Sequence, residues 1–354
     1  MSRFLHPQYA GLEAYTPGEQ PRDRQYIKLN TNESPYPPAP AVLAALTEQD
    51  LADLRLYSDP EGTALRAKLA ELYGVEAGQV FLSNGSDDIL NFAFMAFGAD
   101  GAVFPALTYS FYPVFANLHG VAYETVPLRE DFTLDVAGMQ GKGKLTVFPN
   151  PNAPTGIALP LDQVEAIVAA NPDHVVVVDE AYVDFGADSA VPLLQRYENL
   201  LVVMTYSKSR SMAGARLGFA LGSRALIQDL EKLKYSTNPY NVNRLTLKLG
   251  QAAVDSDGYF REKAREIMAT REKTAQALRA LGFTLPDSQA NFLFVTHPKV
   301  AGETLYRKCK EKGVLIRHFS DPAIAAYNRV TIGTPAEMEA FLAVVQTILK
   351  EEGA

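Results

Sequence analysis

The sequence predicts an α/β protein, with a large domain built on a mostly parallel sheet flanked by helices and a smaller α+β domain. Residues 175–178 and 200–204 are short, continuous apolar runs, which are typical of strands that a parallel sheet buries on both faces. Helical spacing alternates with such runs in the first two thirds of the chain. After Gly222 helical spacing dominates and strands return only near the end, which indicates a second domain.

Composition limits the classes of function. The chain has 354 residues, a formal net charge of −8 and one cysteine, Cys309. The negative charge argues against nucleic acid or an anionic membrane as the main partner. A single cysteine excludes an internal disulfide and makes a cysteine metal site implausible. No apolar run approaches the roughly 18 residues of a membrane span, and the first residues do not resemble a signal peptide, so we expect a soluble, cytoplasmic protein.

We predict three parts in chain order. Residues 1–40 are rich in proline, glycine and tyrosine and form an arm, which we expect to be ordered and to join the small domain. Residues 41–240 form the large, ligand-binding domain. Residues 241–354 form the small domain, connected through a long helical stretch.

The predicted elements follow from local patterns. Helical spacing predicts helices at 40–49, 62–73, 89–97, 224–233, 242–281 (interrupted at 255–258), 301–312 and 336–350. Short apolar runs predict strands at 80–82, 102–104, 145–148, 175–178, 200–204, 291–296, 314–317 and 329–332.

Two polar side chains follow neighbouring runs of this kind. Lys208 comes after the run at 200–204, and Asp179 comes directly after the run at 175–178. Ligands of open α/β sheets bind outside the carboxyl ends of the strands. A buried carboxylate requires a cation nearby, and a ligand could supply it. A lysine amine and a carboxylate in these places indicate pyridoxal phosphate chemistry, although a lysine after a strand is more often a solvated loop residue.

A third strand end predicts an anion site. Gly85, Ser86 and Asp87 lie between the strand at 80–82 and the helix that follows, where free N–H groups and the helix dipole attract an anion. Ser86 and Asp87 are also good helix caps, so a purely structural role is an equal alternative.

Two further loops carry candidate cofactor contacts. Tyr109 follows the strand at 102–104 and could stack on a flat cofactor ring, although core packing is the more frequent fate of a tyrosine. Asn152 lies in the proline-rich segment 149–156, which would hold its amide in one orientation or serve only as a rigid turn.

Arg317 and Arg329 belong to the last two predicted strands. A guanidinium binds carboxylate or phosphate through two parallel hydrogen bonds, so either arginine is a candidate for an acidic substrate group. Capping of the sheet edge or pairing with an acidic side chain is an equally weighted alternative.

Three motifs resemble the fold-type-I, class II pyridoxal phosphate aminotransferases. They are PNPNAPTG at 149–156, Asp179-Glu180-Ala181-Tyr182, and Ser207-Lys208 followed by Arg216. The resemblance covers nearly the whole chain and implies an aspartate aminotransferase-like fold. Two details depart from the family pattern, because Asn152 is followed by alanine and Asp87 by a second aspartate.

The resemblance implies pyridoxal 5'-phosphate as cofactor and a role for each matching residue. Lys208 would be the Schiff-base lysine and Asp179 the partner of the pyridine nitrogen. Asn152 and Tyr182 would bind the phenolic oxygen, and Tyr109 would stack on the ring. The phosphate would lie against Gly85, Ser86, Asp87, Thr205, Ser207 and Arg216.

The resemblance also implies substrate contacts and an assembly. Tyr15 and Asn32 match arm residues that close over the substrate, Arg329 matches the arginine that binds its acidic group, and Arg317 is a weaker match. Tyr57 matches a tyrosine that reaches the phosphate of the neighbouring subunit, which implies a homodimer.

Within the family the resemblance is greatest to members that act on histidinol phosphate. We therefore expect amino-group transfer between histidinol phosphate and 2-oxoglutarate. Alternatives on the same scaffold are an aromatic amino acid aminotransferase and a threonine-phosphate decarboxylase. A cofactor-binding regulatory protein without turnover is a further alternative. A nicotinamide enzyme is disfavoured because no Gly-x-Gly-x-x-Gly follows a strand.

Overall fold

The computed structural model describes residues 2–13 and 18–354. Its strands are β1 (Ile27–Lys28), β2 (Val80–Ser83), β3 (Ala102–Pro105), β4 (Tyr123–Val126), β5 (Leu145–Pro149), β6 (Val176–Asp179), β7 (Leu200–Thr205), β8 (Gly218–Gly222), β9 (Phe292–Val295), β10 (Val314–Leu315), β11 (Arg317–His318) and β12 (Asn328–Thr331). Its α-helices are α1 (Pro40–Leu43), α2 (Glu48–Ala52), α3 (Thr63–Tyr73), α4 (Ser86–Phe97), α5 (Phe111–His119), α6 (Leu161–Ala169), α7 (Arg224–Thr237), α8 (Arg244–Asp255), α9 (Asp257–Ala280), α10 (Gly302–Glu311) and α11 (Pro335–Glu352).

A seven-stranded sheet forms the centre of the large part of the chain. Its strand order is β2-β8-β7-β6-β5-β3-β4, and β8 is antiparallel to both of its neighbours while the other pairs are parallel. Pro149, Asp179 and Val203 are aligned across β5, β6 and β7. The fold prediction is confirmed, and the carboxyl ends of the three central strands lie at one edge of the sheet.

The apolar sequences of β6 and β7 are uninterrupted because both faces of the sheet are buried. Val176, Val178 and Val202 belong to the core on one face, and Val177 and Val203 belong to the core on the other. This alternation places every side chain of both strands away from solvent. A polar side chain is therefore tolerated only at the strand end.

A second, smaller sheet lies in the last third of the chain. Its antiparallel order is β11-β12-β9, and α9, α10 and α11 contribute to its core. The short strand β1 of the arm pairs in parallel with β10, so residues 27–28 join this part of the molecule. Among the helices within residues 2–13 and 18–354, none is both long enough and apolar enough to cross a membrane.

Several elements differ from the prediction. The predicted helix at 40–49 is two short helices, because Thr47 and Asp50 form a capping box that starts a new one. The predicted interruption at 255–258 is a single residue, Ser256, between α8 and α9. The local patterns did not predict β4, β8, α5 and α6. Strand β8 contains glycine at both ends and forms because it pairs with β2 and β7.

A buried arginine connects the two parts of the molecule. Arg271, on α9, is 5% exposed, and its Nη1 donates to the carbonyl oxygens of Phe185 at 2.8 Å and Ala290 at 2.9 Å. Phe185 follows β6, and Ala290 precedes β9. One guanidinium therefore satisfies backbone acceptors of both parts.

We predict that Arg271→Met destabilises the protein by about 2 kcal/mol or more, since two buried carbonyls lose a charged donor. Thermal unfolding should show a lower Tm. The matched control is Arg279→Met on the same helix, whose ion pair with Asp287 is exposed and should contribute little. Equal Tm values for the two variants would contradict the connecting role of Arg271.

Candidate active site

A cavity of about 340 Å³ lies at the carboxyl ends of the central strands. This volume is within the range of about 300–1,000 Å³ that is usual for small-molecule sites. The cavity brings together nine of the predicted site residues: Ser86, Asp87, Tyr109, Asp179, Tyr182, Thr205, Ser207, Lys208 and Arg216.

Lys208 lies in the loop between β7 and β8 and lines this cavity. Hydrogen bonds hold the loop on both sides of the lysine. The Ser207 N–H donates to Thr205 Oγ1 at 3.1 Å, and the Ser211 N–H donates to the Lys208 carbonyl at 3.1 Å. The ammonium Nζ is 5.7 Å from the centre of the Tyr182 ring. The amine is therefore held next to an aromatic side chain from the end of β6.

Asp179 is the last residue of β6 and is 4% exposed. Tyr112 Oη donates to Asp179 Oδ2 at 3.0 Å, and the Ala181 N–H donates to Oδ1 at 3.2 Å. Burial raises the pKa of Asp179 from 3.8 to about 6, against the lowering effects of these hydrogen bonds and of the Lys208 charge. A cation next to this carboxylate would favour its ionised form.

The first turn of α4 faces the same cavity. Its N-cap is Gly85, at φ +86°, and no side chain caps the helix. Neither Ser86 nor Asp87 is therefore the N-cap that the structural alternative required. Amide groups at the start of a helix without a side-chain cap attract an anion.

Two close approaches explain the glycines around this helix start. A Cβ on Gly85 would lie 2.6 Å from Nη2 of Arg216, and a Cβ on Gly218 would lie 2.4 Å from the Gly85 carbonyl carbon. The absence of side chains lets β8 approach the turn and lets the Arg216 guanidinium lie across it. A positive charge and free amides therefore converge on one point.

The Asp87 carboxylate joins two other predicted cofactor residues. Tyr109 Oη donates to Asp87 Oδ1 at 2.8 Å, and Arg216 Nη2 lies 3.0 Å from Asp87 Oδ2. Arg216 Nη1 also lies 3.5 Å from Ser207 Oγ. One carboxylate thus fixes both the aromatic ring and the guanidinium.

Asn152 does not line the cavity, whereas Pro149 and Ala153 of the same segment do. The Asn152 Nδ2 donates to the Leu107 carbonyl at 3.2 Å and to Thr155 Oγ1 at 3.1 Å. Its Oδ1 is buried and has no partner among the described residues. A buried amide oxygen without a hydrogen-bond partner is costly. A bound polar group would stabilise this position, either as it stands or after a 180° rotation of the side-chain amide.

A second cavity of about 130 Å³ adjoins the first, because Thr31, Tyr109, Tyr182 and Lys208 line both. Asn32, Arg317 and Arg329 line it as well. The two arginines are directly opposite each other on β11 and β12. Two guanidinium groups therefore face a cavity that reaches Lys208.

Asn32 connects the arm to the end of β6. Its Nδ2 donates to Tyr182 Oη at 2.9 Å, and its Oδ1 accepts a hydrogen bond from Thr331 Oγ1 at 3.0 Å. Tyr15, the other predicted arm residue, lies outside the described residues. Tyr57 lines neither of these cavities; it is 78% exposed and stacks on Tyr240 at a ring distance of 4.5 Å.

Several polar side chains at the site, including Thr31, Tyr112 and Glu33, were not predicted from the sequence. Tyr112 donates a hydrogen bond to Asp179 from α5, a helix that was not predicted; its spacing of three residues from Tyr109, which precedes the helix, was the available signal. Glu33 lines the larger cavity and pairs with Lys28 at 2.6 Å. Nothing in its local sequence distinguishes it from a surface acid.

The fold and this site agree with a known family. Residues 24–345 match the family described as aminotransferase class I and II. The chain belongs to this family, whose cofactor is pyridoxal 5'-phosphate.

Individual relatives cover nearly the whole chain. It is 48% identical over 353 residues to histidinol-phosphate aminotransferase from Brachyspira hyodysenteriae, covering 99% of this chain and 100% of the relative. It is 49% identical to histidinol-phosphate aminotransferase 1 from Bordetella parapertussis, covering 98% and 99%. The crystal structure of histidinol-phosphate aminotransferase from Sinorhizobium meliloti in complex with pyridoxal-5'-phosphate has the same fold, with a TM-score of 0.87, 24% identity and coverage of 99% and 98%.

The residues present fit this cofactor. Asp179 is a buried carboxyl group that a ring cation would stabilise, and the uncapped start of α4 with Arg216 suits a phosphate. The unpartnered Asn152 Oδ1 marks a third polar position beside the cavity.

We predict that Asp179→Asn stabilises the cofactor-free protein in a pH-dependent way. Because the folded-state pKa is raised, the protonated carboxyl contributes stability that is present below about pH 4 and lost as the pH rises through 6. The difference of about two units between the unfolded-state and folded-state pKa of Asp179 corresponds to about 3 kcal/mol of unfolding free energy. The Tm difference between variant and wild type should therefore grow from pH 4 to pH 7.

Thermal unfolding of both cofactor-free proteins across this range checks the prediction. The Asp179 charge also raises the pKa of Glu180, so its removal lowers the cost of ionising Glu180 and acts in the same direction. A Tm difference independent of pH would contradict the assigned pKa. With pyridoxal phosphate added, the wild type should have the higher Tm, because the amide of the Asp179→Asn variant cannot balance the positive charge of the ring nitrogen.

Proposed function

We propose that this chain is a pyridoxal phosphate-dependent aminotransferase that transfers an amino group between histidinol phosphate and 2-oxoglutarate. The relatives at 48% and 49% identity support this substrate. The observation that carries the proposal is the convergence of Lys208, Asp179 and the start of α4 on one cavity. We also predict that the protein acts in histidine biosynthesis and is cytoplasmic.

The proposal gives each cavity residue a part in holding the cofactor. Lys208 would bind its aldehyde carbon, Asp179 its ring nitrogen, and Arg216 with the α4 amides its phosphate. Tyr109 would stack on the ring, and Tyr182 with Asn152 would bind the phenolic oxygen. When bound, the protonated ring supplies an electron sink for the substrate carbon that loses its proton.

The side chains of this chain would then move and stabilise the charges. Once the amino group of the substrate has replaced Lys208 at the aldehyde carbon, the freed Lys208 Nζ would take the proton from the substrate carbon and later release it. Asp179 remains ionised beside the ring nitrogen, and Tyr112 keeps it oriented through the hydrogen bond of 3.0 Å. Asn32 orients the Tyr182 hydroxyl through its hydrogen bond of 2.9 Å.

The two arginines support a substrate with a phosphate group. Arg317 and Arg329 lie opposite each other on adjacent strands and line the cavity that also reaches Lys208. Two guanidinium groups suit a phosphate dianion better than a single carboxylate, because each can form a bidentate contact. We propose that they bind the phosphate of histidinol phosphate, and that Tyr15 closes over it.

A comparison of amino donors tests the substrate. With 2-oxoglutarate as acceptor, we expect the highest kcat/KM for histidinol phosphate, and lower values for phenylalanine and threonine phosphate. Lys208→Ala should abolish turnover, whereas the control Lys232→Ala, at an exposed site on α7, should not. No turnover of histidinol phosphate would disprove the substrate, and an active Lys208→Ala variant would disprove the mechanism.

The absorption spectrum of the same purified protein distinguishes an enzyme from a cofactor-binding regulator. An aminotransferase given histidinol phosphate alone converts its bound pyridoxal phosphate to the amine form, which changes the visible absorption spectrum. A regulatory protein would leave the spectrum unchanged.

We also propose that the active unit is a homodimer in which Tyr57 reaches the phosphate of the neighbouring site. Exposed apolar side chains near Tyr57 in the sequence support this assembly. Leu43, Leu51, Leu54 and Leu56 are between 45% and 66% exposed. A protein contact would remove such side chains from water.

A hybrid dimer tests the shared site. Tyr57→Ala should weaken cofactor binding about tenfold, the effect of losing one hydrogen bond to a charged group. A subunit with Lys208→Ala is inactive in its own site, but it supplies an intact Tyr57 to the site of its partner. Mixing the two variants under subunit exchange should therefore restore activity beyond that of either alone. Activity equal to the average of the two would contradict a shared site.

A further inference from the structure

The loop that carries Lys208 has cavities on two sides. Lys208 lines the cavity of about 340 Å³, whereas Ser209 and Arg210 line a separate cavity of about 560 Å³. Tyr206 and Met212 anchor the two ends of the loop in the core. Between them, the position of the loop depends on specific polar contacts made by the residues after the lysine.

Ser209 provides the first of these contacts. Its Oγ donates to Asp184 Oδ2, in the segment that follows Tyr182. The contact connects the loop after β7 to the loop after β6. Because both loops contribute side chains to the cofactor cavity, this hydrogen bond fixes them relative to each other.

Arg210 provides the second and more deeply buried contact. It is 5% exposed, and its Nη2 lies 2.8 Å from Asp257 Oδ1, with Nη1 3.4 Å from the Ala253 carbonyl. The rings of Tyr206 and Phe260 lie 5.5 and 5.8 Å from the guanidinium carbon. Burial lowers the pKa of Arg210, but nearby acidic groups, which include Asp184 and Asp257, raise it overall. The Arg210 charge lowers the pKa of Asp257 against the raising effect of burial.

Asp257 is the first residue of α9, the helix of 24 residues that leads into the small domain. The same helix packs against the segment after Tyr182 and against α11 and β9. Arg210 therefore attaches the lysine loop to the element that connects the two parts of the molecule. A buried ion pair adds little stability compared with apolar residues of the same volume, but it specifies one geometry.

We propose that the Arg210–Asp257 ion pair is a positioning device for Lys208, which holds the lysine loop in register with the start of α9. The inference rests on the proposed role of Lys208. The hydrogen bond from the Ser211 N–H to the Lys208 carbonyl closes a tight turn, so residues 208 and 210 move together. Loss of either partner then displaces the amine without removing any group that contacts cofactor or substrate.

The test compares Asp257→Asn, Arg210→Met and Arg210→Lys in the cofactor-loaded enzyme, with Arg279→Met as the matched control. Arg279 is on the same helix, but its ion pair is exposed. For each variant, kcat and KM for histidinol phosphate are measured, together with the pH midpoint of the absorbance change of bound pyridoxal phosphate. Asp257→Asn preserves the shape of the side chain, so the test stands even if Arg210→Met does not fold.

We expect both Arg210→Met and Asp257→Asn to lower kcat about tenfold or more, because small displacements of a reacting group are costly. KM should change little, since the donor contacts other residues. The double variant should be no worse than the more severe single one. Arg210→Lys should recover part of kcat, and both single substitutions should shift the pH midpoint in the same direction.

Two results would overturn the inference. A lower Tm with unchanged kcat and pH midpoint would mean that the pair serves stability alone. Midpoint shifts of opposite sign in Arg210→Met and Asp257→Asn would mean that its charges act directly on the amine. Wild-type protein without a bound-cofactor spectrum would instead disprove the proposed function, so the two failures are distinguishable.

Discussion

The burial of one carboxylate governs the arrangement of this site. Asp179 ends a strand whose other residues are enclosed on both faces, so its charge is removed from water. The Tyr112 hydroxyl and the Ala181 amide compensate only in part, because the pKa of Asp179 is still raised to about 6. In the proposed function, a cation from the ring of the cofactor would complete this position. The sheet thereby creates an electrostatic requirement that the proposed cofactor would meet.

The start of α4, which lines the same cavity, has the complementary character. The start of α4 presents free amides, and the Arg216 guanidinium lies across Gly85, where any side chain would collide with it. Asp87 keeps the local charge balanced and fixes Arg216 and Tyr109 in one network. A carboxylate and an uncapped helix start that line one cavity would favour a single orientation of the proposed cofactor. Lys208 lines the same cavity.

The remaining contacts connect the two parts of the molecule. Asn32 from the arm donates to Tyr182 and accepts a hydrogen bond from Thr331 of β12. Arg271 and Asp257 of α9 bind the segments that follow Tyr182 and Lys208. Each of these contacts joins residues that are far apart in sequence. The geometry of the cofactor cavity thus depends on how the arm, the small domain and α9 pack against the central sheet. The arginines of β11 and β12 bring a second, cationic cavity to the same lysine.

The sequence alone determined the strand ends and the motifs on them, because apolar runs and turn residues encode local structure. Lys208, Asp179 and the glycine turn at 85 were all identified in this way. It did not predict β8, whose glycines have low strand propensity, or α5, from which Tyr112 reaches Asp179. Only the tertiary structure decided which distant side chains meet: Asn32 with Tyr182, Arg317 with Arg329, and Arg210 with Asp257. Such pairs depend on sheet register and helix packing across long stretches of chain, and local periodicity contains no information about either.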